Sequence, residues 1–467
     1  MTVKNLLIII FVSLFFFSCT EDNDVTVPRN LQEYITASTN NDLGNVIACA
    51  ASASGNTNLS YIFYYPEAGA TDIRYYEADS LNIDNQDFSK YRRKNLTKTA
   101  VFGGKLERFA RSGDNENWCL VTYMLDGELH KSNPIRLKNE TKPTSWTNAV
   151  TIKFPETLKP TFTWSDFGVT DNAIYFEVIS EKEDDTFVSG TYTLDKIFTY
   201  FDTTNVVNNI NVPLTPVNLV ADTEYLFTMM AVSKDNWVNT VIQESFITRN
   251  LEEYLDFNAT KTIEKATAFG ASSSGSTSLS YIYYNPLVGA SDMRYYETDN
   301  LAVDETDFSN YRRKKITDQA TFDGALRRYS RTDTNDSWCI VTFIIDDKLY
   351  KSDPIKIKIQ TRPTEWLTDI TIETSERLMP KFTWLDGTFV ENVKYLQVVT
   401  DKEDNFLSGT FTEEKTFQYY LDANVIDKIN LETPADLIFD AEYKITVMGL
   451  STDNWVNLVI QKTFTVE

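Results

Sequence analysis

The 467-residue chain has one histidine, His130, and four cysteines. A single imidazole removes most His-based zinc sites and makes a Ser-His-Asp triad improbable. Cations are in deficit: 44 Lys and Arg against 67 Asp and Glu leave a formal charge of −23. Binding of nucleic acid needs a basic footprint, so that class of partner is excluded. An acidic surface favours solubility, divalent cations and neutral ligands. Glycine and proline are modest, at 16 and 13, while aromatics reach 13%; this is a folded chain and not a low-complexity one. No phosphate-cradling glycine loop and no nucleophile elbow occurs. Long apolar stretches of helical period are missing as well. Residues 195–209 are the one exception, read as a short helix or helical turn.

What is present is duplication. Asn30-Leu31-Gln32-Glu33-Tyr34 returns as Asn250-Leu251-Glu252-Glu253-Tyr254, and Tyr91-Arg92-Arg93-Lys94 as Tyr311-Arg312-Arg313-Lys314. The offset of 220 slips by two further on, so that Tyr225 matches Tyr443. Two deletions of one residue fall where loops are expected, since loops tolerate them. A chain of this length exceeds one core, and a long-period repeat signals an array of modules.

Within each repeat, residues 219–239 (LVADTEYLFTMMAVSKDNWVN) and 437–457 (LIFDAEYKITVMGLSTDNWVN) alternate apolar residues on every second position. That is the mark of a strand with one face in a core. The leading leucine with a tyrosine six residues later resembles the sixth strand of a fibronectin type III domain, where a tyrosine corner pins the incoming loop. Pro160-Thr161-Phe162-Thr163-Trp164 and Pro380-Lys381-Phe382-Thr383-Trp384 resemble its second strand. The resemblance implies an all-β chain of four sandwich modules, fibronectin type III-like or immunoglobulin-like. Their expected spans are 30–142, 143–249, 250–362 and 363–467. Short junctions around Pro143 and Pro363 suggest a stiff array.

The N-terminus carries Lys4, an apolar run over 6–17 interrupted by Ser13, and then Ser18-Cys19. The run is too short to span a bilayer and reads as a signal peptide over 1–18. A small residue before cysteine resembles a bacterial lipoprotein box. The resemblance implies lipidation of Cys19, an acidic tether over 19–29 and an outer-membrane, surface-exposed address.

For the other cysteines, Cys49 in a second strand and Cys119 in a sixth resemble the inter-sheet disulfide of immunoglobulin domains. The alternative is that Cys49, Cys119 and Cys339 are small buried apolar residues. Carboxylates are many but unfocused. Glu181, Glu183, Asp184 and Asp185, matched by Asp401, Glu403 and Asp404, read as a solvated connecting loop. Asp79, Asp84 and Asp87, repeated as Asp299, Asp304 and Asp307, lack the spacing and glycine turn of an EF-hand. The expectation is no enzyme, no cofactor and no metal.

Three repeated features remain as candidate contacts. The first is Asn236, Trp237 and Asn239 with Asn454, Trp455 and Asn457. Each tryptophan is either a sugar platform flanked by amides or a ring folded over the end of the sandwich. The second is the tyrosine-rich pair of strands at Tyr61, Tyr64, Tyr65, Tyr75 and Tyr76, echoed at Tyr281, Tyr283, Tyr284, Tyr295 and Tyr296. Alternation places some of these rings outside the core, as a platform or as cross-strand pairs. The third is basic: Tyr91, Arg92 and Arg93 with Arg108 and Arg111, repeated as Tyr311, Arg312 and Arg313 with Arg328 and Arg331. It would recognise carboxylate or sulfate, or pair with the chain's own surplus carboxylates. Together these point to a non-catalytic surface lipoprotein binding a polysaccharide, similar in layout to accessory lipoproteins of glycan-uptake systems. The other reading is a structural or adhesive spacer that engages surface proteins.

Overall fold

The computed structural model describes residues 28–38, 43–211, 216–429 and 433–466. The signal peptide, Cys19 and the tether through residue 27 lie outside the described residues. The chain is all-β, arranged as paired sheets in two repeats, and it divides into two compact units. The first unit holds the first sandwich together with residues 234–238, and the second holds the rest of the described chain. Among the described residues no helix is long and apolar enough to cross a membrane.

In the first unit, strands Ala48–Ala53, Asn56–Tyr64, Leu106–Ser112 and Thr97–Val101 form one sheet in that order. Gly44–Val46, Glu128–Ser132, Trp118–Leu125, Thr71–Ala78 and Tyr91–Lys94 form the facing sheet. Between them lie Ala50, Ile62, Tyr64, Tyr75, Cys119 and Val121. The outer face of the second sheet is covered by helix Leu31–Ser38, whose Leu31, Tyr34 and Ile35 pack on Tyr76, Tyr91 and Leu120. A sheet with both faces buried explains why so many tyrosines occur on successive positions of one strand.

The disulfide expectation is corrected here: Cys49 and Cys119 are both free thiols. Side chains alternate across a strand, and it is Ala48 and Ala50 that face Cys119. Cys49, one residue out of phase, points to the opposite face. Cys339 is likewise a free, buried thiol. Burial pushes the Cys49 thiol up to about 12.

The second unit begins with a sandwich in which Thr151–Glu156, Lys159–Thr163 and Ile197–Thr199 face a six-stranded sheet centred on Asn172–Glu181 and Glu224–Ser233. Phe162, Trp164, Tyr175 and Phe227 fill the space between. The corner is present: the Tyr225 hydroxyl accepts the backbone N–H of Val220 at 3.0 Å, and Tyr443 accepts that of Ile438 at 2.8 Å. The stretch expected as a helix, 195–209, instead supplies strands Ile197–Thr199 and Val206–Asn209 joined by a turn. It pairs with a neighbouring strand on each side of that turn, and tertiary pairing overrides a weak local pattern.

The second repeat is built the same way, with helix Leu251–Phe257 entered through a capping box of Asn250 and Glu253. Its two sandwiches are fused. The outer face of one sheet of the first (Phe269, Tyr283, Leu326) packs on the outer face of a sheet of the second (Leu396, Val398, Met448, Val459) in one continuous apolar cluster. Two sandwiches joined this way act as one body, because separating them would expose a second core.

Candidate functional site

Each sequence-predicted contact is placed by its strand. The DNWVN loop of the second repeat carries Asn454 in the left-handed region at φ 58°. That turn aims its carbonyl at Gly270 N–H, 3.0 Å away, while Asp453 pairs with Lys358 at 2.6 Å. Trp455 is thereby driven into the core of the neighbouring sandwich, fully buried among Ile282, Tyr295 and Val341. Its indole N–H donates to the Arg362 carbonyl at 2.8 Å. The first unit repeats the arrangement: Trp237 is fully buried and donates to Lys142 O at 2.8 Å, with Asn236 O accepting from Ala50 N–H at 3.0 Å. Asn236 and Asn454 donate to the carbonyls of Pro134 and Pro354. Asn239 and Asn457 are buried and bonded to Asn172 and Asn392. The sugar-platform expectation is therefore corrected, since a ring without an exposed face cannot stack on a pyranose. Nor does Trp455 simply cover the end of its own sandwich; it completes the core of the other sandwich of its repeat, and Trp237 lies in the core of the first unit.

The basic set is divided by the structure. Tyr91 and Tyr311 are fully buried, their hydroxyls donating to Asn85 O at 2.9 Å and Glu305 O at 2.8 Å. Arg111 and Arg331 are interior and grip Glu77 and Glu297. Burial alone would raise both carboxyls, but the Arg111 and Lys94 partners of Glu77 and the Lys314 and Arg331 charges beside Glu297 bring each down to about 2. Arg312 is held by Asp299 and lies 3.7 Å from Glu244. Arg313 reaches Asp222 at 3.2 Å. In the second repeat, then, Arg312, Arg313 and Arg331 are used by the chain's own carboxylates. In the first repeat Arg92 and Arg93 remain exposed, with Arg92 3.7 Å from Asp79. Of the repeated aspartates, Asp304 and Asp307 cap turns, accepting from Thr306 N–H at 2.8 Å and Ser309 N–H at 3.1 Å, while Asp299 holds Arg312.

Three other features do converge, in a cleft of ≈ 730 Å³ between the sandwiches of the second repeat. Strand Ser280–Tyr284 turns Ile282 and Tyr284 inward, which leaves Tyr281 and Tyr283 on the outer face. Tyr283 is buried by the fused interface, so the ladder is not open along its length. Tyr281 is half-buried and carries the Arg328 guanidinium over its ring at 4.0 Å. From the junction comes Trp366, partly exposed, its indole N–H bonded to Ser272 O at 3.1 Å. The far wall is the acidic loop, where Asn405 donates to Asp401 at 2.7 Å and Asp404 pairs with Lys444. Gln461 lines the floor, donating to Thr446 at 3.2 Å. The cleft thus offers ring faces, amides, a guanidinium and carboxylates at one place. Sequence reasoning found Tyr281, Arg328 and the acidic loop separately; nothing in their spacing shows that they share a cleft.

No family model matches the chain, and no curated protein matches it. Among solved structures it is similar to the chicken CNTN1 FN1-FN3 domains, at 12% identity, a TM-score of 0.17, and coverage of 69% of this chain and 99% of that one.

Proposed function

We propose that the chain is a non-catalytic surface lipoprotein, anchored through Cys19 at the outer membrane, that binds a glycan in the cleft of its second repeat. The observation that carries this reading is the cleft itself, ≈ 730 Å³ with the Tyr281 and Trp366 rings beside Arg328 and Asn405. Its size falls in the range of small-ligand sites, roughly 300–1,000 Å³. Ring faces suit the apolar face of a pyranose, while amides and charged forks suit hydroxyls and carboxylates. The test is a polysaccharide and glycan-array screen of residues 28–467 beside Tyr281→Ala and Trp366→Ala. Binding that disappears in both folded variants supports the reading, and a wild-type chain that binds no glycan sinks it. Loss of fatty-acid labelling in Cys19→Ser tests the anchor.

A second reading, a structural or adhesive spacer, is favoured by the burial of Trp237 and Trp455. Rings spent on joining sandwiches serve rigidity and not recognition. In that case a glycan-negative chain still retains surface proteins in a cross-linking experiment on intact cells.

A further inference from the structure

Where the first repeat hands over to the second, one carboxylate gathers three arginines. Asp222, at the tip of the tyrosine corner with φ 61°, accepts from Arg294 at 2.6 Å, Arg313 at 3.2 Å and Arg249 at 3.4 Å. Two outer contacts flank it: Arg312 with Glu244 at 3.7 Å and Lys315 with Glu224 at 3.5 Å. Arg294 is braced for the task, its Nε on Asp292 at 2.8 Å and its guanidinium 4.0 Å over the Tyr254 ring. This is a built acidic-tip-in-arginine-cradle joint.

Duplication repeats the two halves of that joint apart from each other, the cradle in the first unit and the acidic tip at Asp440, both exposed among the described residues. In the first unit Arg29, Arg74 and Arg93 stand where Arg249, Arg294 and Arg313 stand in the second repeat, at the offset of 220. The brace is reproduced: Arg74 Nε lies on Asp72 at 2.8 Å and its guanidinium 3.8 Å over Tyr34. Arg29 and Arg93 are exposed. The side chain of Arg92 keeps 46% of its exposure, against 8% for Arg312, which gives the scale of what the joint covers. At the other end, Asp440 repeats Asp222, on the same corner, with φ 65°. It is exposed, between Ile438 at 68%, Phe439 at 59% and the Tyr443 corner.

We infer that the chain associates head to tail with a second copy of itself, the Asp440 tip of one copy entering the Arg29–Arg74–Arg93 cradle of the next. The interface is heterologous, so its two surfaces differ and neither is used up by forming a dimer. Both flanks depart from the internal joint: Glu244 is replaced by Lys462, which would meet Arg92 and oppose it, and Lys315 is replaced by Asn95, which gives Glu442, the counterpart of Glu224, no cation. The association is therefore weaker than the internal joint and is screened by salt, because its partners are exposed.

The test is sedimentation velocity on residues 28–467 over a concentration series at low and high salt. Three variants accompany it: Asp440→Asn (tail), Arg29→Gln with Arg93→Gln (head), and Lys462→Glu. All change exposed side chains, and unchanged thermal melts confirm folding. The wild type is expected to run beyond dimer as concentration rises and to fall back at high salt. Tail and head variants alone stay monomeric, and their equimolar mixture forms dimers and nothing larger, since only one competent pair of ends remains. Lys462→Glu shifts association to lower concentration. A wild type that stays monomeric, a single-end variant that still associates, a mixture that stays monomeric, or a Lys462→Glu chain no tighter than the wild type overturns the inference.

Discussion

Arg331 sets Nε and Nη2 on one carboxylate oxygen of Glu297, at 2.8 and 2.7 Å, with side chains only 2% and 1% exposed. Arg111 grips Glu77 in the first unit as a fork, one nitrogen to each oxygen at 2.9 Å. Surrounding donors complete each site: Tyr295 and Ser337 donate to Glu297 at 2.8 and 2.7 Å. Removing the arginine leaves the buried carboxylate with a single lysine at its edge, Lys314 at 3.1 Å from Glu297 and Lys94 at 2.9 Å from Glu77. Arg331→Met is expected to cost about 3–5 kcal/mol of stability, whereas Glu297→Gln with Arg331→Met together costs less than the single change. Urea titrations of the two variants beside the wild type check this.

The same pairs set the acid limb of stability. Glu77 and Glu297 are each depressed to about 2 from an ordinary value of 4.5. A carboxyl lowered on folding stabilises the fold above its unfolded pKa and loses that contribution as pH falls toward the folded one. Stability should thus be level above pH 4.5 on this account and fall between 4.5 and about 2. Thermal melts across that window should show a shallower fall in Glu297→Gln.

Glu177 has the opposite sign. It is 1% exposed, accepts from Thr193 at 2.8 Å, and is raised well above 4.5 because burial disfavours its charge. A group raised on folding contributes fully below its unfolded pKa and loses the contribution as pH rises toward the folded value. The second repeat has Gln397 here, bonded to Thr410 and Thr412 at 3.1 and 2.9 Å. Glu177→Gln should match the wild type at pH 4 and exceed it at pH 7. Equal melting temperatures at both pH values would contradict the burial argument.

Trp455 is a packing residue, and its truncation is expected to behave as one. Trp455→Ala empties space beside Ile282 and Val341 and leaves the Arg362 carbonyl unpaired, at a cost of about 3–5 kcal/mol. In a glycan screen the variant should bind as the wild type does wherever it remains folded. A specific loss of binding with an unchanged melt would return Trp455 to the ligand site.

Much of this fold is legible because strands announce themselves at period two. The alternation after Tyr225 and Tyr443, and the tyrosine six residues behind a leucine, place the corner strands and the sandwiches built on them. Phase was harder. Around Cys49 the residues Ala48, Ala50 and Ala51 are apolar on both faces, so no alternation shows which side meets Cys119. Helix Leu31–Ser38 is too short for a helical period to emerge, and its cap pair, Asn30 with Glu33, is two residues in a repeated segment with nothing else helical around them. The tryptophan loop misled because Asp, Asn and Trp have the same pattern whether the ring faces solvent or a neighbour. What decides is the lysine across the joint, Lys358, more than ninety residues earlier. The cleft was illegible for a related reason: Tyr281 and Asn405 meet only because the outer faces of two sheets are both apolar.

A ring that completes a neighbour's interior also has a history. A single sandwich of the first kind, copied alone, would have had a hole where Trp455 sits, and one of the second kind would have carried a bare indole. The smallest piece that duplication could copy and leave able to fold is the pair. That is the period of 220 residues seen in the sequence, with one tryptophan plug per copy.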